Sequence, residues 1–134
     1  MRFLAHSCLF ISLLLFLPGQ ILAQEESLAV KEISITTRIV RGNPVDSVQR
    51  ISSSALHELY CFTRVVAPDD GEREIVHVWY RNDEMISRFL LPVRGTSWRT
   101  YSKKFITKGM AGDWRVDVLD SDGNLMKSNK FRLN

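Results

Sequence analysis

Near the C-terminus, Trp114, Val116 and Val118 alternate with Arg115, Asp117 and Leu119. A period of two belongs to an extended chain with one face buried, because successive side chains of a strand point to opposite sides of its sheet. The same period recurs through most of the chain, and no long stretch shows helical spacing. Ile33, Ile35 and Ile39 alternate with Ser34, Thr36 and Arg38 in a first strand. Further strands are expected over 57–67, 74–81 and 84–93, parted by the Asp/Gly turn at 68–72 and the Asn82-Asp83 turn. The turn at 120–124 folds the strand from Trp114 back on residues 125–134 as a hairpin. With 97–105 this makes about seven short strands, the pattern of an all-β, antiparallel two-sheet sandwich, with an immunoglobulin-like topology expected. Pro44, which lacks an amide hydrogen, and the cluster Ser52–Ser54 mark an irregular connection after the first strand.

The N-terminus constrains compartment. Arg2 precedes an apolar run of about 15 residues, Phe3 to Leu17, short of the roughly 20 that a helix needs to cross a bilayer. Pro18-Gly19 breaks the run, and Ala23 stands before a plausible cleavage point, the arrangement of a secretory signal peptide. The expected division is a signal peptide over 1–23, then one domain in which 24–55 supplies the first strand and connection and 56–134 the sandwich core. The expected location is periplasmic or secreted, with membrane association only through an uncleaved N-terminal segment. Cys8 leaves with the signal, so Cys61 remains alone without an internal disulfide and is expected to be a small buried hydrophobe. The chain has 18 basic against 15 acidic residues, and loss of Arg2 leaves 17 against 15. That balance is no nucleic-acid field, and no nucleic-acid partner is expected.

The segment Ser97–Phe105 resists the simple pattern. Three rings and three cations are interleaved there, and strict alternation splits them between faces: Trp98, Thr100, Ser102 and Lys104 on one, Arg99, Tyr101, Lys103 and Phe105 on the other. The spacing from Trp98 to Tyr101 to Phe105 instead suits one face of a short helix. A strand with a bulge is the expectation that reconciles the two, since one extra residue reverses the later side chains. Local rules fail here, and such places are often functional or strained. Residues 74–81 are ambiguous differently: either Ile75, His77 and Trp79 or Val76, Val78 and Tyr80 face inward, and hydrophobicity barely prefers the second set. An inward His77 needs a hydrogen-bond partner, such as a backbone carbonyl or a hydroxyl.

Taken together, the Asn-Pro-Val-Asp corner at 43–46, the Tyr60–Val65 strand, His77–Tyr80, Trp98–Lys104 and the hairpin over 112–126 are similar in order and spacing to the bacterial domain-of-unknown-function family 2914. The resemblance spans nearly all of the chain after residue 23. It implies a small extracytoplasmic or membrane-associated β-domain and carries no known activity. One departure is Val78, where the family often has a basic residue. This implies that Val78 faces outward while His77 and Trp79 share the inner face.

No catalytic or metal signature is present. His57 and His77 are the histidines beyond the signal, with no H-x-x-H or H-E-x-x-H spacing. The Asp/Gly turn at 120–124 lacks the register of a calcium loop, and no nucleophile elbow occurs. The expectation is a non-catalytic binding module without cofactor, meeting an envelope protein or glycan through Trp98, Arg99, Tyr101 and Lys103, with His77 and Trp79 as further candidates. Rings flanked by cations suit a glycan or peptide, while an exposed sheet edge offers strand addition to a protein. Alternatively the rings are core and the cations a solvated rim. The alternative function is a small enzyme or redox protein using Cys61 or His77.

Overall fold

The computed structural model describes residues 28–55 and 57–134, so the signal peptide and its cleavage after Ala23 lie outside the described residues. Ten strands follow in chain order: β1 (Ala29–Thr36), β2 (Ile39–Val40), β3 (Asn43–Pro44), β4 (Arg50–Ile51), β5 (Glu58–Val66), β6 (Arg73–Arg81), β7 (Glu84–Val93), β8 (Ser97–Phe105), β9 (Gly112–Leu119) and β10 (Leu125–Leu133). One short 3-10 turn, Lys108–Met110, precedes β9. The seven long strands are those the alternation predicts, and the irregular connection adds three two-residue strands. They form a three-stranded sheet, β1-β5-β8, a five-stranded sheet, β4-β10-β9-β6-β7, and the small β2-β3 ribbon. All pairs are antiparallel except β4 with β10.

The turns follow from residue chemistry. Asn82 and Asp83 both take positive φ, 48° and 64°, the backbone of the two-residue turn whose twist matches the strands it joins. At the β9–β10 turn the Asp120 carboxylate accepts the amides of Asp122 and Asn124 at 2.9 Å each. These bonds hold its pKa below the ordinary range, with the Asn124 amide the main cause. The carboxylate thus serves the turn, and no group of metal-ligating side chains occurs among the described residues. Asp46 is similar: burial alone would raise its pKa, but bonds from the Thr36 and Thr37 hydroxyls and the Thr37 amide outweigh it and lower the value. That carboxylate ties the 43–46 corner to the end of β1.

Between the sheets the core forms two apolar clusters. One gathers Ile35, Leu59, Cys61, Trp79, Trp114, Val116 and Phe131, and the other centres on Val65, Ile75, Val93 and Val118 with half-buried Trp98 against it. Trp114 stacks on Phe131 at 5.9 Å, and both rings meet the edge of Trp79. At the waist between the clusters lies a polar row. Thr63 Oγ1 is 3.2 Å from His77 Nε2, Ser102 Oγ is 2.8 Å from His77 Nδ1, and Trp79 Nε1 donates to Ser102 Oγ at 2.9 Å. His77 is fully buried, and burial pushes its pKa down to about 4, which keeps the ring neutral.

Two sequence expectations are settled by this arrangement. In β6 the inward set is Ile75, His77 and Trp79, so Val78 faces out as the family resemblance implies. It is nonetheless only 3% exposed, because the side chains of its register partners Arg88 and Asp117 flank it on the sheet surface. The bulge expected in β8 is not there: β8 pairs with β5 without interruption from Glu58 opposite Phe105 to Val66 opposite Ser97. Bulges occur instead where β1, β7 and β10 each carry one extra residue, Lys31, Ile86 and Met126. Strict alternation holds in β8 because its inward positions are polar for a reason: Ser102 serves His77 and Trp79, and Lys104 reaches Ser87 Oγ of β7 at 2.7 Å.

Candidate functional site

Regular pairing of β8 divides the six residues singled out by sequence. His77 and Trp79 are fully buried, and neither touches solvent. Trp98 packs into the second core cluster. Arg99, Tyr101 and Lys103 alternate on the outer face of the three-stranded sheet, and there they are joined by Phe105. Of the six, only Arg99, Tyr101 and Lys103 share one outward face, because a strand cannot present both parities to one side of its sheet.

Outward positions of β5 complete that face. Register sets Glu58 opposite Phe105, Tyr60 opposite Lys103, Phe62 opposite Tyr101 and Arg64 opposite Arg99. Phe62 is buried beneath its neighbours, whereas Tyr101 and Phe105 remain 48% and 63% exposed. Tyr60 and Tyr101 meet edge to face at 5.6 Å, and the Lys103 ammonium lies 5.1 Å from the centre of the Phe105 ring. Glu58 joins the two strands: it accepts the Tyr60 hydroxyl at 2.7 Å and faces Lys103 at 3.6 Å. The Tyr60 bond is the main reason its pKa lies below the usual carboxylate value, and the same bond raises that of Tyr60. Arg64 has Glu32 at 3.7 Å, but Arg99 has no ion-pair partner among the described residues. Two guanidinium side chains directly opposite across strands are unfavourable unless a counter-charge joins them. Sequence reasoning missed Tyr60 and Arg64, since their place beside β8 comes from strand pairing rather than chain proximity.

Strand edges are less available. Lys104 points inward on edge strand β8, and β7, the opposite sheet's edge, carries Pro92 and a bulge. These are devices that discourage a further strand from pairing. The residues of the alternative, catalytic reading are sealed: Cys61 is fully buried, burial pushes its thiol pKa far up, and His77 stays neutral inside.

A concavity of ≈ 850 Å³ opens elsewhere, at the five-stranded sheet. Arg50, Arg115, Lys130 and Arg132 line it, with Asp83 and Asp113 as its carboxylates. Arg115 reaches Asp83 at 2.7 Å and Asp117 at 3.0 Å, and Arg132 reaches Asp113 at 2.6 Å. No sequence motif marked these cations, because they come from three separate strands.

No curated protein matches the chain. An immunoglobulin-like protein from Pseudomonas aeruginosa superposes with a TM-score of 0.55 at 10% identity, covering 84% of this chain and all (100%) of that one. An alkylpurine DNA glycosylase from Pseudomonas fluorescens, bound to DNA containing an abasic site analog, gives 0.51 at 10% identity over 81% of this chain. The chain spans only 30% of that enzyme. At such identity the likeness is one of fold alone. Residues 72–133 match the model described as "Protein of unknown function (DUF2914)", a stretch running from just before β6 through β10. It includes His77–Tyr80, Trp98–Lys104 and the β9–β10 hairpin, while the 43–46 corner and the Tyr60–Val65 strand precede it. The chain is thus an immunoglobulin-like β-sandwich whose residues 72–133 are similar to the DUF2914 family of unknown function.

Proposed function

We propose that this protein is an exported, non-catalytic binding module that meets an acidic glycan or acidic protein segment on the outer face of β5 and β8. The observation that carries the reading is the pair of exposed rings, Tyr101 and Phe105, alternating with Arg99 and Lys103 on one regular strand face. Large rings left in water gain little for the fold, whereas a ring beside a cation gives a ligand both an apolar platform and a counter-charge. Arg64 opposite Arg99 adds a second guanidinium whose repulsion an acidic ligand relieves. Face binding is favoured over strand addition because Lys104 and Pro92 guard the β8 and β7 edges and a bulge at Lys31 interrupts the β1 edge.

The test is an amide-shift titration of the folded domain with short oligogalacturonate, an acidic glycan, and with a polyglutamate peptide. Saturable shifts confined to the outward positions of β5 and β8 are expected from one of these probes. They should be lost in the Tyr101→Ser, Phe105→Ser double variant and reduced by Arg99→Gln. If neither probe perturbs this face, or if the ring substitutions leave the shifts intact, the reading fails.

A further inference from the structure

The concavity at the five-stranded sheet has a charge arrangement that the fold itself does not require. Lys130 of β10 lies directly opposite Arg115 of β9, and Arg132 lies beside Arg50 of β4. Both are like-charge neighbours at strand-pair distance, an unfavourable placement on a sheet. The carboxylates cover only part of the charge. Asp83 and Asp117 take Arg115 and Asp113 takes Arg132, leaving Arg50 and Lys130 without an ion-pair partner among the described residues. Exposed lysine and arginine with water around them tolerate such crowding at modest cost, but two crowded pairs converging on one concavity concentrate positive potential there.

The wall of the concavity is built to hold its shape. Asn82 donates its amide to the Asp113 carbonyl at 2.7 Å, and its side-chain oxygen accepts the Asp113 amide at 3.0 Å. Gly112 beside it has φ of +142°, and a Cβ there would stand 2.9 Å from Asn82 Oδ1. The β6–β7 turn and the start of β9 are thereby locked together, with the Asp83 and Asp113 carboxylates fixed on the rim. Arg115 is braced in addition by the Tyr80 ring, 4.2 Å from its guanidinium carbon. A volume of ≈ 850 Å³ falls within the range of small-molecule sites.

We propose that this concavity binds a small multivalent oxyanion, a ligand carrying at least two phosphate, sulfate or carboxylate groups. Arg50 and Lys130 supply the unspent charge, Arg50 with a planar fork that grips an oxyanion in a pair of hydrogen bonds, while Arg115 and Arg132, held by their carboxylates, add to the local positive potential. A monovalent anion engages one cation pair only, so the arrangement selects ligands able to bridge both. The site is separate from the β5–β8 face, and the two stand or fall independently.

Inorganic pyrophosphate and a sulfated disaccharide serve as probes, with orthophosphate and an uncharged disaccharide as controls. Amide-shift titration at low ionic strength should show saturable shifts at residues 82–83, 112–115 and 130–132. Pyrophosphate or the sulfated sugar should bind at least tenfold more tightly than orthophosphate, and which of the two leads identifies the source of the oxyanions. The exposed Arg50→Gln, Lys130→Gln double variant, checked for unchanged dispersion elsewhere, should weaken binding tenfold or more, while Arg99→Gln should not alter it. Equal affinity for all anions, shifts spread over every basic surface, or an Arg99→Gln loss matching that of the double variant would each overturn the assignment, as would no saturation by either multivalent probe.

Discussion

Lowering the pH from 7.5 to 4.5 isolates the contribution of His77. The folded ring titrates near 4 because burial disfavours its charged form, against an ordinary value of 6.5. Its neighbours in the polar row are Thr63, Ser102 and Trp79, none of which offers a negative charge. The sign follows directly: between these two values the unfolded chain takes up a proton that the folded chain refuses, so the folded state loses stability as pH falls from 6.5 toward 4. A displacement of this size corresponds to about 3 kcal/mol at most, at about 1.4 kcal/mol per unit. Carboxylates with lowered pKa, such as Asp46 and Asp120, lose their contributions at more acid pH, so their window lies mainly below this one. Urea denaturation across the range should show the midpoint dropping by about 1 M or more, for a slope of about 1–3 kcal/mol/M. His77→Gln, which keeps a donor and an acceptor, should be less stable at neutral pH and show a much flatter dependence between pH 6.5 and 4.5. His57, exposed and present in both chains, drops out of the difference. Parallel pH profiles for the parent and the variant would refute the reasoning.

Two further substitutions probe the packing. Trp114→Ala removes the ring that stacks on Phe131 and meets Trp79, and urea denaturation should show a loss of about 3–5 kcal/mol; a loss below about 1 kcal/mol would mean that this face does not anchor the core. Gly112→Ala forces a side chain into a positive φ and against the Asn82 amide, so a loss of about 1–3 kcal/mol is expected, with Asn82→Gly in the same chain recovering part of it. Independent, additive losses from those two changes would show that Asn82 and Gly112 are not coupled.

Most of the architecture is legible in the sequence where one face of a strand is apolar and the other is not. Trp114, Val116 and Val118 signal β9 unaided, and Asn82-Asp83 and Gly123 mark the two hairpin turns. Legibility ends where tertiary contacts decide. In β8 the inward Ser102 and Lys104 look solvent-facing as letters, and only the presence of His77, Trp79 and Ser87 across the interior explains them. A bulge is the natural inference from the letters alone, and it is wrong for that reason. In β6 both faces are apolar, so hydrophobicity carries no parity, and the buried histidine rather than the valines reveals which side is in.

The same reasoning explains why the candidate surfaces were half visible. Arg99, Tyr101 and Lys103 are consecutive members of one parity, so a single strand announces them. Arg64 and Tyr60 gain their place through strand pairing, and the cations at the concavity through pairing among β4, β9 and β10. Residue order along the chain records the first kind of neighbour and not the second. Like charges set opposite each other are therefore the informative feature of the finished fold: their positions cost stability at the sheet surface, and no packing requirement in the interior compensates for them. On both outer faces of this sandwich it is these crowded cations, Arg64 with Arg99 and Lys130 with Arg115, that motivate the proposed anionic ligands, and the titrations above decide each face separately.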